Sequence, residues 1–173
     1  MIINLNEIES FSPKEIISLA FHSEVKAEQV YLFLKKKIKN KLLRRKLDFL
    51  GYEQARHAEL LKRFFNQKYP QESMPSPKIS FWPEGKVSLT KSSSIKDLFI
   101  QALENEKIFE NFYLSISRLM KSQPLRQVFK YLSRVERTHY FIIKTELDLL
   151  EKFPDYYQVE DFHFGDELVH VGP

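Results

Sequence analysis

Carboxylates and imidazoles recur in this chain at one fixed interval. Glu24 and Glu106 are 82 residues apart, and so are His57 and His139. In each half the glutamate precedes the histidine by 33 residues, from 24 to 57 and from 106 to 139. Glu136 stands three residues before His139, one helical turn away on a shared face. Side chains of these types relay protons or hold divalent cations through oxygen and imidazole nitrogen donors. At about 100° per residue, Ile17, Ala20, Phe21, Ala27, Tyr31 and Ile38 all lie within about 60° of Glu24, which places that glutamate on an apolar face. Glu106 has the same setting among Phe99, Ala102, Leu103, Phe109 and Tyr113, and Leu132 and Ile143 continue the stripe of Glu136 and His139. Such groups are costly to bury unless they are paired or bind metal. A buried Glu–His hydrogen bond accounts for any single pair, but less readily for two clusters related by a repeat.

The elements that must position these residues are set by proline, glycine and serine. Pro70, Pro75, Pro77 and Pro83 crowd one central segment, flanked by long proline-free stretches rich in Leu, Ile, Phe, Lys and Glu that read as helix. Four helices are expected, at about 13–39, 42–67, 95–121 and 124–152. Ser12-Pro13-Lys14-Glu15 forms a capping box at the first, Ser94 with Asp97 opens the third, and Pro124 starts the fourth. Short turns make each consecutive pair an antiparallel hairpin. The connection 68–94 is long, as it must be if helices two and three run parallel, because a helix of about 26 residues spans about 39 Å. The expected class is all-α: a four-helix bundle of two antiparallel hairpins with one long crossover, covering residues 1–153. The 82-residue shift also superposes Ala20 on Ala102, Tyr31 on Tyr113, Leu43 on Leu125, Leu50 on Leu132 and Gly51 on Ser133, so the chain reads as a duplicated hairpin.

Composition narrows the chemistry. The 173 residues are 43% hydrophobic and 29% charged, enough for a packed core and unlike a disordered chain. With no cysteine, disulfides, iron–sulfur clusters, Cys-ligated zinc and thiol catalysis are excluded. Neither a signal-like start nor a membrane-length apolar run is visible, so the expectation is a soluble, cytoplasmic protein with no membrane partner.

The pattern resembles the rubrerythrin-type ferritin-like di-iron carboxylate proteins, as the bundle alone without a Cys-rich rubredoxin domain. That family has a glutamate on helices one and three and a Glu-x-x-His pair on helices two and four. Glu24, Glu106, Glu136 and His139 match, and the segment Glu53-Gln54-Ala55-Arg56-His57-Ala58-Glu59 resembles the family's helix-two signature. The resemblance spans Ser12 to Lys152. It implies metal ligands Glu24, His57, Glu106, Glu136 and His139, supporting tyrosines Tyr31 and Tyr113, and two iron ions. It also implies oxidoreductase chemistry on peroxide or dioxygen, and a homodimer. Without cysteine, electrons would come from a separate protein or from ferrous iron itself.

One position departs from the pattern. The family's bridging glutamate falls at Gln54, and Glu53 points about 100° away. With three glutamates in place of four, a ferrous pair keeps about one uncompensated positive charge. Three readings follow: a site holding one metal, iron or another divalent ion, through Glu106, Glu136 and a histidine; recruitment of Glu28 or Glu110; or a metal-free scaffold. The corresponding functions are a weakened di-iron enzyme, a metal-handling protein without turnover, and a structural module. Gly51 and Ser133 either leave room beside the metals or serve tight helix packing. The basic stretch from Lys35 to Lys46 reads as a solvated bundle tip rather than a nucleic-acid surface, and His22 as surface. The aromatic and acidic tail 154–173 is expected to pack on the bundle or on a partner subunit, and His163 and His170 are weak metal candidates.

Overall fold

The computed structural model describes residues 10–77 and 94–155. These form α1 (Pro13–Lys37), α2 (Lys41–Lys68), α3 (Ile95–Leu119) and α4 (Gln123–Lys152), with no strand among the described residues. The fold is the ferritin-like four-helix bundle. Its local signals repeat with the sequence. At α1 the Ser12 hydroxyl accepts from the Glu15 amide and the Glu15 carboxylate accepts from the Ser12 amide, and Ser94 and Asp97 do the same at α3. Each box satisfies amide donors that the first turn leaves open.

Two helices stop short of the expected ends. α1 ends at Lys37 rather than about Lys39, and α3 at Leu119 rather than about Lys121. In both cases the next residue turns extended and buries its apolar side chain: Ile38 at 2% exposure and its repeat mate Met120 at 6%. Burial of these side chains outweighs another helical hydrogen bond. Asn40 is then the N-cap of α2, its Oδ1 accepting from the Leu43 amide at 3.0 Å. α4 starts one residue before Pro124, after Ser122, whose side chain makes no capping bond.

Backbones pack closely within each hairpin, α1 on α2 and α3 on α4, whereas the hairpins meet mainly through long side chains. Lys46 meets Glu146 while Gln54 meets Glu136, so α2 and α4 run antiparallel. Tyr31 meets Glu106 and Tyr113 meets Glu24, so α1 and α3 do too. Together with the hairpins, these contacts make α2 and α3 parallel. The core divides into two apolar clusters, one around Ile17, Leu61, Phe65, Tyr113 and Phe129, the other around Leu34, Leu43, Leu47, Leu50 and Phe99. Between them lies a polar layer. No helix among the described residues is long and apolar enough to cross a membrane.

Candidate metal centre

That polar layer consists of Glu24 from α1, Gln54 and His57 from α2, Glu106 from α3, and Glu136 and His139 from α4, all buried. Their donor atoms fall into two groups: Glu24, His57 and Glu136 in one, Glu106, Glu136 and His139 in the other, with the atoms of each group within 4.8 Å of one another. Glu136 belongs to both. The groups are images under the 82-residue repeat, and the Gln54–Glu136 contact joins repeat mates near the axis that relates them.

Both imidazoles turn Nδ1 inward. His57 Nδ1 lies 3.3 Å from Glu136 and 3.4 Å from Glu24. His139 Nδ1 lies 3.3 Å from Glu136 and 3.6 Å from Glu106. The two rings stack with centroids 5.7 Å apart. Tyr31 donates its hydroxyl to Glu106 and Tyr113 donates to Glu24, each crossing from one hairpin to the other. The tyrosines fix the carboxylates, as support around a metal ligand does.

Without cations the layer holds protons. Burial alone would lower both histidines, but hydrogen bonds to Glu136 and Glu24 raise His57 to about 9. Those to Glu106 and Glu136 raise His139 to about 10. Burial, and then the charge of Glu136, push Glu24 and Glu106 above the usual carboxylate range. Burial would raise Glu136 as well, yet hydrogen bonds from Glu106 and both histidines hold it below that range. Burial and the adjoining carboxylates push Tyr31 and Tyr113 up, so their hydroxyls stay protonated donors.

The residues fit a divalent metal. Glu106 Oε2 and Glu136 Oε1 are buried and face imidazole Nδ1 atoms at 3.6 and 3.3 Å without a well-formed hydrogen bond, which leaves their lone pairs under-satisfied. Hard carboxylate oxygens beside inward imidazole nitrogens suit iron, manganese, cobalt or zinc. Gln54 makes the groups unequal. Its Oε1 accepts from His57 Nδ1 at 3.2 Å, while its Nε2 donates to Glu136 at 3.2 Å and lies 3.4 Å from His139 Nδ1. Only the carbonyl end of an amide can ligate, so Gln54 serves one group at a time.

Other sequence candidates lie elsewhere. Glu28 and Glu110 belong to neither group, and the Glu110 carboxylate pairs with Lys107 at 2.8 Å. A Cβ on Gly51 would meet Tyr31 Cβ at 3.6 Å and the Glu28 carbonyl at 3.9 Å, and the Ser133 hydroxyl donates to the Glu110 carbonyl at 3.0 Å. Both small residues therefore sit at a close approach between the helices of a hairpin, which fits the packing alternative. Glu53 pairs with Arg56 at 3.6 Å, and His22 is exposed. The tail candidates His163 and His170 lie outside the described residues.

The reading of the sequence missed the ion pair of Lys46 with the buried Glu146. Its signal was spacing: Glu146 follows His139 by seven residues, on the same stripe.

The chain matches the rubrerythrin family model over residues 15–147. It is similar to a solved structure of a hypothetical protein from Pyrococcus furiosus, at 29% identity and a TM-score of 0.76, covering 86% of this chain and 96% of that one. No curated protein matches the chain.

Proposed function

The chain belongs to the rubrerythrin family, and from that premise we propose that it is a non-haem iron protein whose buried centre holds one divalent ion tightly and a second more weakly. Glu24, His57 and Glu136, with the Gln54 carbonyl, would hold the first, and Glu106, His139 and the shared Glu136 the second. The observation that carries this reading is the pair of buried carboxylate–imidazole groups sharing Glu136, with one oxygen each of Glu106 and Glu136 lacking a well-formed hydrogen bond. When bound, iron supplies electron transfer to peroxide or dioxygen. The chain's own part is to fix the carboxylates through Tyr31 and Tyr113, to aim both Nδ1 atoms inward and to exclude bulk water with the two apolar clusters. With no cysteine in the chain, electrons come from a partner protein or from ferrous iron.

Anaerobic calorimetric titration with ferrous ion, with elemental analysis, tests this reading. One tight and one weaker ion per chain is the expected result, and consumption of peroxide by the loaded protein assigns the oxidoreductase function. One ion and no consumption indicates iron handling without turnover, a reading favoured by the neutral Gln54. No ion bound, even after aerobic loading, sinks the metal reading. It would leave a scaffold whose polar layer is held by the Gln54, His57 and Glu136 hydrogen bonds.

A further inference from the structure

Because the repeat gives every feature a mate, places where the halves differ are informative. Two clefts open on the face between α2 and α4. One, of about 710 Å³, is walled by Tyr52, Arg56, Arg63 and Tyr131, among others, and His57 forms part of its lining. The other, of about 400 Å³, is walled by Arg45, Lys46, Phe49, Ile142, Thr145 and Glu146. The 82-residue shift carries Phe49 onto Tyr131, and Leu60 and Arg63 of the first cleft onto Ile142 and Thr145 of the second. The clefts are therefore repeat images that have diverged.

Only the larger one reaches a residue of the polar layer. The Nδ1 edge of His57 faces the carboxylates, and its opposite edge carries Nε2, buried and without a hydrogen-bond partner like that of His139, but only the His57 ring lines either of these clefts. A single imidazole thus stands between the centre and the cleft. Tyr131, half exposed, sets its ring edge-on to that imidazole, with centroids 6.2 Å apart and planes at 86°. In the smaller cleft His139 is absent from the wall. Lys46 and Glu146 form their ion pair there, and Lys46 is the repeat mate of Val128 in the larger cleft. Charge separates the clefts too. Arg45 and Lys46 outnumber Glu146 in the smaller one, whereas Arg56 and Arg63 are each matched by an acid in the larger, Glu53 at 3.6 Å and Glu59 at 2.8 Å. A cation meets a net positive wall on one side and a balanced wall on the other.

We propose that the larger cleft is the port through which divalent ions enter and leave the centre, with Tyr131 setting its width, and that the Lys46–Glu146 pair closes the repeat-related route. The proposal rests on the metal reading above. A side chain that only obstructs a route changes the rates of entering and leaving by the same factor and leaves affinity alone.

The test is stopped-flow uptake of Co²⁺ by the metal-free full chain, followed by visible absorption, and loss of Co²⁺ to excess EDTA. The variants are Tyr131→Ala, Tyr131→Trp and, at the repeat mate, Phe49→Ala; Tyr131 and Phe49 are half exposed and lie outside the buried core. Tyr131→Ala should speed uptake and loss alike by about fivefold, with Kd within about twofold of the parent, as for a residue that gates access. Tyr131→Trp should slow both, and Phe49→Ala should leave both at the parent value. The port is overturned if the Tyr131 variants keep parent rates, or if Phe49→Ala shifts them as much as Tyr131→Ala does. A parent chain that binds no Co²⁺ overturns the metal reading and the port together, whereas normal binding with rates indifferent to Tyr131 overturns the port alone.

Discussion

The two hairpins correspond position by position under the 82-residue shift, yet they differ at positions in and around the polar layer. The capping boxes that open α1 and α3, the apolar stripes and the crossed Tyr–Glu hydrogen bonds are matched in both halves. What differs is Gln54 against Glu136, Tyr131 against Phe49, and Lys46 against Val128. Packing constrains both copies equally, because each hairpin buries the same stripe against its mate. The polar layer and its approaches have no such constraint, so one half can open and lose a charge while the other closes and keeps it.

The largest expected effect is at the shared residue. Glu136→Ala should weaken binding of both ions by at least about 100-fold, about 2.7 kcal/mol, whereas Glu24→Ala or Glu106→Ala should each weaken one. Calorimetric titration of the three variants decides this. Equal losses at all three positions would mean that the centre is a single undivided site.

Protonation of the metal-free layer comes next. The folded pKa values of His57 and His139, about 9 and about 10, lie above the ordinary 6.5. Their contribution to stability is therefore complete below about pH 6.5 and is lost as pH rises through 9 to 10. Glu24 and Glu106, also raised, act in the same direction. Thermal melts should show the metal-free protein losing stability between pH 7 and 10, with ion affinity rising over that range as protons leave the ligands.

Gln54→Glu should make the halves more alike. A fourth carboxylate in the polar layer should destabilise the metal-free protein by about 1–3 kcal/mol while strengthening the weaker ion site. Denaturant melts with and without ferrous ion would show both changes, and an unaltered weak site would mean that position 54 does not limit metal binding.

The crossed tyrosines should be nearly equivalent. Tyr31→Phe and Tyr113→Phe should each cost about 1–2 kcal/mol, the worth of a hydrogen bond to a buried carboxylate, and unequal losses in denaturant melts would reveal asymmetry the geometry does not show.

The smallest effect contrasts two caps. Asn40 and Ser122 are repeat mates, but only Asn40 makes a side-chain capping bond. Asn40→Ala should therefore cost about 1 kcal/mol and Ser122→Ala only about a few tenths, measurable by the same melts.

Much of this was legible in the sequence because it is local or periodic. Ser12 with Glu15 and Ser94 with Asp97 announce helix starts through bonds spanning three residues, and 100° per residue puts Glu24, Glu106, Glu136 and His139 on inward faces. The helix ends at Lys37 and Leu119 were not legible. They depend on where Ile38 and Met120 find a core to enter, and that core is built by other helices.

Periodicity gives the direction of a side chain from its own axis, and the repeat gives its counterpart. These two regularities determined the bundle, the duplicated hairpin and the ring of inward acids and imidazoles. Neither gives the rotation and offset of one helix against another. Only the tertiary structure decided that Glu136 serves both groups, which neighbour each end of the Gln54 amide faces, that Gly51 and Ser133 lie at close helix approaches, and that Lys46 reaches Glu146. Those are distances between helices, fixed when both apolar clusters pack at once.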